Sequence, residues 1–169
     1  DFVSYPDQDQ LLHRAAERGI GTMVFKTTAG NRQREIKDLE AGGLSFRQAT
    51  IRWALSNPDV ASVAVTMTSF DGVAEAVAAV GSAPSAAEVA MLRRYAGEMY
   101  DRYCRFCATC EGSCPHHVAV AEVMRYDMYF RYYGREKEAM RLGSRLPVGA
   151  AAAPGRDCGG HCDGACPFG

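Results

Sequence analysis

Charge of one sign is missing from this chain. Lys and Arg number 19 and Asp and Glu 20, for a formal net charge of −1. That balance leaves no electrostatic footprint for nucleic acid or an anionic membrane, so neither is an expected partner. No apolar run reaches transmembrane length, and no signal peptide can be read. An initiating Met is lacking too: the chain opens at Asp1 and passes directly into Phe2-Val3-Ser4-Tyr5-Pro6. It reads as the back end of something longer, so the lack of a leader decides nothing about targeting, and the expected location is cytoplasmic. Lysine is scarce, with only Lys26, Lys37 and Lys137. Cysteine is absent until residue 104, and all seven cysteines fall in the last 66 residues. Whatever chemistry they carry is gathered at one end.

Four of them, Cys104, Cys107, Cys110 and Cys114, are spaced C-x2-C-x2-C-x3-C with Pro115 directly after. That spacing sets thiolates around a cuboidal iron–sulfur cluster, and the trailing Cys-Pro is the bacterial ferredoxin form. An imperfect second copy, Cys158-x3-Cys162-x3-Cys166-Pro167, closes the chain. An odd cysteine total argues against a simple disulfide framework, and C-x-x-C pairs point to metal or redox sites in a reducing compartment. Zinc is the rival metal. Zinc sites, however, join two short pairs across a longer insert, and three thiolates at three-residue steps are not what they use. The spacing favours iron–sulfur.

Periodicity divides the chain in front of these cysteines into helices and two strands. Residues 8–18 read as a helix with Leu11, Leu12, Ala15 and Ala16 on one side and Gly19 as its stop. Residues 21–25 and 60–66 are of strand composition, the second apolar on both faces as a buried parallel strand is. Residues 46–56 form a helix with Phe46, Ala49, Thr50 and Trp53 inward, broken by Asn57-Pro58. Residues 69–80 form another, with Val73, Ala76, Val77 and Val80 on one stripe. Ser85-Ala86-Ala87-Glu88 is a capping box that opens a long helix leading to Cys104. Beyond the first cysteine motif, residues 118–133 read as a helix rich in aromatics, ended by Gly134. A short charged helix spans about 135–142, and 147–155 reads as a flexible connection. Arg125, Arg131 and Arg135 stand among these tyrosines, and the neutral chain makes them solvent-facing cover of the cluster in preference to a base-stacking surface.

The run Gly19-Ile20-Gly21-Thr22-Met23-Val24-Phe25-Lys26, with Ala49-Thr50-Ile51-Arg52-Trp53-Ala54-Leu55-Ser56-Asn57-Pro58, resembles the last third of aldo/keto reductases. Val60 to Ser69 continues the likeness into the final barrel strand. Members with a ferredoxin-like extension carry a Cys-rich tail in the place seen here. The resemblance implies an α/β fold: the last two βα units of a TIM (β/α)8 barrel over residues 1–82, a connecting helix over 83–103, and a mostly helical ferredoxin-like 4Fe-4S domain over 104–169. A barrel needs eight strands in ~250 residues, so strand edges and apolar faces are expected to stand open here. The family's catalytic residues belong to earlier strands, and none is placed in this chain. Dinucleotide contacts carry over to Lys26, Thr27 and Thr28 in the first loop and to Thr66, Thr68 and Ser69 in the second, where a helix N-terminus offers amides to phosphate. The chain departs from many relatives at Thr66, where they have glycine, and at Glu75-Ala76, where they have Glu-Asn.

Ferredoxin-like counting gives Cys104, Cys107, Cys110 and Cys166 to one [4Fe–4S] cluster. Cys114, Cys158 and Cys162 are then one thiolate short. The second site is three-coordinate, completed by His161, or absent; a solvent-facing His161 is the plainer expectation, as it is for His116 and His117. The function so implied is the C-terminal portion of an NAD(P)H-linked oxidoreductase acting on a small-molecule carbonyl, with a redox partner protein where the cluster passes electrons. No flavin motif is visible to link hydride to single electrons. The competing class is a non-enzymatic electron-transfer or metal-stapled interaction module.

Overall fold

Local signals start and stop most of the elements. The computed structural model describes residues 8–27, 37–99, 104–151 and 158–168. The chain separates into two compact units, Asp1–Tyr100 and Asp101–Gly169.

The first unit begins with helix α1 (Gln8–Glu17). Gly19, at φ 67°, takes the left-handed turn that ends it, while the N–H groups of Gly19 and Ile20 donate to the carbonyls of Ala16 and Ala15, each at 2.9 Å. The expected inward face of α1 is not realised: no residue of the helix is buried, and Leu11 is 67% exposed. Strands β1 (Met23–Phe25) and β2 (Ser62–Ala64) are shorter than their sequence signals. They pair in parallel with Val24 opposite Val63. Helix α2 (Phe46–Leu55) lies between them in the chain, capped by Ser45, whose hydroxyl accepts from Gln48 N. Helices α3 (Phe70–Ala78) and α4 (Ala86–Met99) follow. The capping box of α4 is formed reciprocally: Ser85 N donates to Glu88 Oε2 at 2.7 Å and Glu88 N to Ser85 Oγ at 3.2 Å.

Helix α2 organises the core because it is apolar on two sides. Phe46 and Ala49 pack with Leu39, Met91 and Leu92, and Trp53 and Tyr95 lie against them. Ile51 packs with Ala76 and Ala79 of the next helix, joined by Leu55 and Val65. Helix α4 is therefore part of this core and not a bare connector; residues 100–103, which lead to Cys104, lie outside the described residues. Phe46 is the largest fully buried side chain, 1% exposed, with its ring edge-on to Tyr95 at 4.7 Å between centroids. Phe46→Ala is expected to cost about 3–5 kcal/mol, read from urea unfolding by the fluorescence of Trp53, the single tryptophan. A change within about 0.5 kcal/mol, the value of surface sites, would place the core elsewhere.

Two faces of this unit stay open. Met23 and Phe25 are each 64% exposed on one side of the two-stranded sheet, although parallel sheets are ordinarily covered on both. Helix α3 turns Ala76 to the core while Phe70, Val73, Val77 and Val80 are exposed. Of the expected stripe only Ala76 packs inward, with Ala79 beside it against Ile51 of α2, while the valines, one residue further round at 77 and 80, point away from the packing.

The second unit consists of a 3-10 turn (Thr109–Ser113), helices α5 (Val120–Arg131) and α6 (Glu136–Gly143), and a terminal turn of helix, α7 (His161–Gly164). Gly134, at φ 66°, permits the reversal between α5 and α6. Met128 and Ala121 of α5 and Ala139 of α6 are buried. The segment after α6 is tied back, with Ala119 N donating to Ala150 O at 3.0 Å; residues 152–155 of the expected flexible connection lie outside the described residues. Among the described residues, no helix is long and apolar enough to cross a membrane.

Candidate metal centre

The first cysteine motif folds as a loop bent by left-handed backbone. Among the described residues, non-glycine positive φ occurs at Lys26, Phe106, Ala108 and His117, of which Phe106 and Ala108 lie within the first motif and His117 just after it. Each such residue costs about 1–2 kcal/mol relative to ordinary conformations, so the loop's shape is held by what surrounds it. Glu111 fixes the loop to α5: its Oε1 accepts from Ala121 N at 3.0 Å, a cap that Ala119 at the helix start cannot give. Helix α7 packs against the 3-10 turn, which carries the last cysteines to the first motif.

All seven cysteines are free thiols. Cys110 is half-buried; burial pushes its thiol up, and the charges of Cys104, Cys166 and Cys162 push it further. Since α7 carries Cys162 and the 3-10 turn carries Cys110, two cysteine segments far apart in sequence meet here. Cys107 is exposed at its lip. Thr109 holds the Cys107 thiol below the usual range, its hydroxyl donating to Sγ at 3.3 Å, with a lesser pull from the Arg105 charge. Cys114 is buried and Cys158 exposed. Counting by motif sets Cys162 with those two; α7, which carries Cys162, packs against the 3-10 turn that carries Cys110. His116, His117 and His161 are exposed.

Two guanidinium groups lie on aromatic rings of this unit. Arg105, between the first two cysteines, is buried and stacks on Phe168 at 4.5 Å from the ring centroid. Arg125 of α5 stacks on Phe106 at 4.2 Å, so this arginine is not turned to solvent as its sequence context had implied. Neither stack was foreseen, since an arginine among cysteines carries no signal of burial. Among the described residues, no three His, Cys, Asp or Glu side chains converge as the shell of a single metal ion. The cysteines are free thiols with the buried Arg105 among them, and soft thiolate donors of this kind fit an iron–sulfur group.

The second candidate region is the edge beyond both strands. Because β1 and β2 are parallel and in register, Lys26 and Thr27 emerge at the same end as Thr66, Thr68 and Ser69. Thr28 lies outside the described residues. Lys26 is left-handed, at φ 59°, and its Nζ stands 5.9 Å from the Phe25 ring centroid. Ser69 caps α3, its hydroxyl accepting from Gly72 N at 3.1 Å. Arg47, which sequence reading passed over, donates to Thr66 O at 3.2 Å and pairs with Glu75 at 3.4 Å. Glu75 is further held by the Ser45 hydroxyl. Its neighbour Ala76 is a core residue, where an asparagine would bury its amide.

Comparison of the chain with models of known protein families, with curated proteins and with solved structures found no match.

Proposed function

We propose that the second unit binds one [4Fe–4S] cluster through thiolates of the Cys104, Cys107, Cys110, Cys162 and Cys166 group. The chain as a whole is read as the C-terminal portion of a cytoplasmic NAD(P)H-linked oxidoreductase of the aldo/keto reductase type. The observation that carries the cluster is the packing of α7, which holds Cys162, against the 3-10 turn that holds Cys110, bringing the two cysteine segments together. With Cys162 in this group, Cys114 and Cys158 are too few for a second cluster.

When bound, a cluster of this kind takes up one electron, whereas nicotinamide delivers hydride, two electrons together. The chain offers no group that would divide hydride into single electrons, so the cluster is assigned a stapling role, drawing the terminal segment onto the cysteine loop. Cys107, the exposed thiol of the proposed ligand group, with its sulfur on the Thr109 hydroxyl, would face a redox partner protein. In the first unit, Lys26, Thr27, Thr66, Thr68 and Ser69 would meet the dinucleotide at the shared strand edge, with Arg47 as an added cation. The open sheet face at Met23 and Phe25 supports a barrel completed by further strands, which would also supply the catalytic groups for a carbonyl substrate.

Anaerobic reconstitution followed by iron and acid-labile sulfide assays tests the cluster. About four irons and four sulfides per chain are expected, with an EPR signal after dithionite reduction. Zinc without sulfide would sink the reading, and eight irons would restore a second centre. The oxidoreductase half is tested in the full-length parent, where NADPH-dependent carbonyl reduction is expected to survive Cys104→Ser.

A further inference from the structure

Arg105 stands between Cys104 and Cys107 and is only 6% exposed. Arginine is rarely buried to this degree, and it stays charged at any pH a protein tolerates. Its guanidinium lies on the ring of Phe168, 4.5 Å from the centroid. Phe168 is two residues beyond Cys166, so this stack joins the loop of the first motif to the end of the second. A buried positive charge acts on its neighbours through a medium far less screening than water.

A cluster bound by four thiolates is an anion, and each electron it accepts makes it more so. Hydrogen bonds, burial and net charge around such centres set their potentials. We propose that Arg105 is the counter-charge of the cluster site: a positioning residue that clamps the two cysteine segments through Phe168 and stabilises the reduced, more negative state of the bound cluster. This rests on the cluster reading given above. Arg125 reaches the same loop through Phe106 at 4.2 Å, but it is only half-buried, so water screens it more.

The full chain, reconstituted without oxygen, is titrated with dithionite while the EPR signal is followed. Dithionite supplies the electron, the centre gains one negative charge, and no covalent bond or proton is exchanged. Arg105→Gln is expected to hold the same iron and sulfide as wild type but to take up the electron about tenfold less favourably, a midpoint lower by about 59 mV for a one-electron couple. Arg125→Gln is expected to move the midpoint less, in the same direction. Phe168→Leu, which keeps the charge but removes the clamp, is expected to leave the midpoint near wild type and to lose iron faster to a chelator. A loaded Arg105→Gln protein with an unshifted midpoint would overturn the inference while leaving the cluster reading intact. If Arg105→Gln takes up no iron, Arg105→Lys decides. Loading of Arg105→Lys upholds the role of charge, and its failure to load overturns it. Wild-type protein without iron and sulfide would overturn the cluster reading itself.

Discussion

Cys110→Ser protein prepared without oxygen is expected to lose its iron and sulfide, while Cys158→Ser protein keeps both. Cys110 occupies the middle of the thiol group: it is half-buried, and the charges of Cys104, Cys166 and Cys162 all reach it. Serine there removes one soft donor and leaves the remaining thiolates to repel one another with less iron to neutralise them. Loss of a mere supporting hydrogen bond costs metal sites 10–100-fold, so loss of this ligand is expected to lower iron retention by at least roughly 100-fold. The terminal segment should loosen as well if, as proposed, a cluster staples α7 to the cysteine loop. Cys158 is exposed and stands outside the proposed ligand group, so its replacement tests the ligand set from the other side. Iron loss from Cys158→Ser with retention in Cys110→Ser would move the site to Cys114 and Cys158.

Why part of this arrangement was legible in the sequence, and part was not, follows from the range of the interactions involved. Signals that act within one turn were readable. Ser45, Ser69 and Ser85 begin helices through their own hydroxyls, and Gly19 and Gly134 adopt the left-handed turns that end them. The inward face of α2 was readable as well, because Phe46 and Ala49 repeat at helical spacing on a helix that is packed. Helix α3 shows the limit of that reasoning. Its valines and its alanines form two adjacent apolar stripes, and periodicity cannot say which one a neighbour will cover. Small side chains won because α2 lies close.

The candidate site divides in the same way. The spacing of the first motif proposes the donors, which is local information. The partner of that motif depends on how α7 docks, and counting along the chain assigned Cys162 elsewhere. Arg105 is the clearest case of a residue hidden from sequence reading. Its burial depends on Phe168, which is distant in the chain and reaches it only in the folded unit. Arg47 was missed for a similar reason: it sits on α2 but serves the loop after β2.

Glu88→Ala is expected to be among the larger losses of stability in the first unit, about 3–5 kcal/mol. Glu88 ends two networks at once. Its carboxylate completes the capping box with Ser85 and accepts from Arg52 Nη1 at 2.5 Å, with the two side chains 6% and 19% exposed respectively. Arg52 keeps other acceptors, Ser82 Oγ at 2.9 Å among them, which sets the expectation toward the lower end of that range. Glu88→Gln separates the contributions, since glutamine can still complete the cap but brings no charge to Arg52; about 1.5–3 kcal/mol is expected for it. Acid gives an independent check. Burial pushes the Glu88 carboxyl up, but the Ser85 N–H and hydroxyl and the Arg52 guanidinium outweigh it and hold the group below its ordinary value of 4.5. A carboxyl depressed by folding contributes stability that is whole above its unfolded value and is lost as pH falls through the folded one. The deficit of Glu88→Gln, followed by Trp53 fluorescence, should therefore be full at neutral pH and shrink once pH drops below about 4.5. A deficit that stays constant into that acid range would mean that Glu88 acts through shape and not through its charge on Arg52.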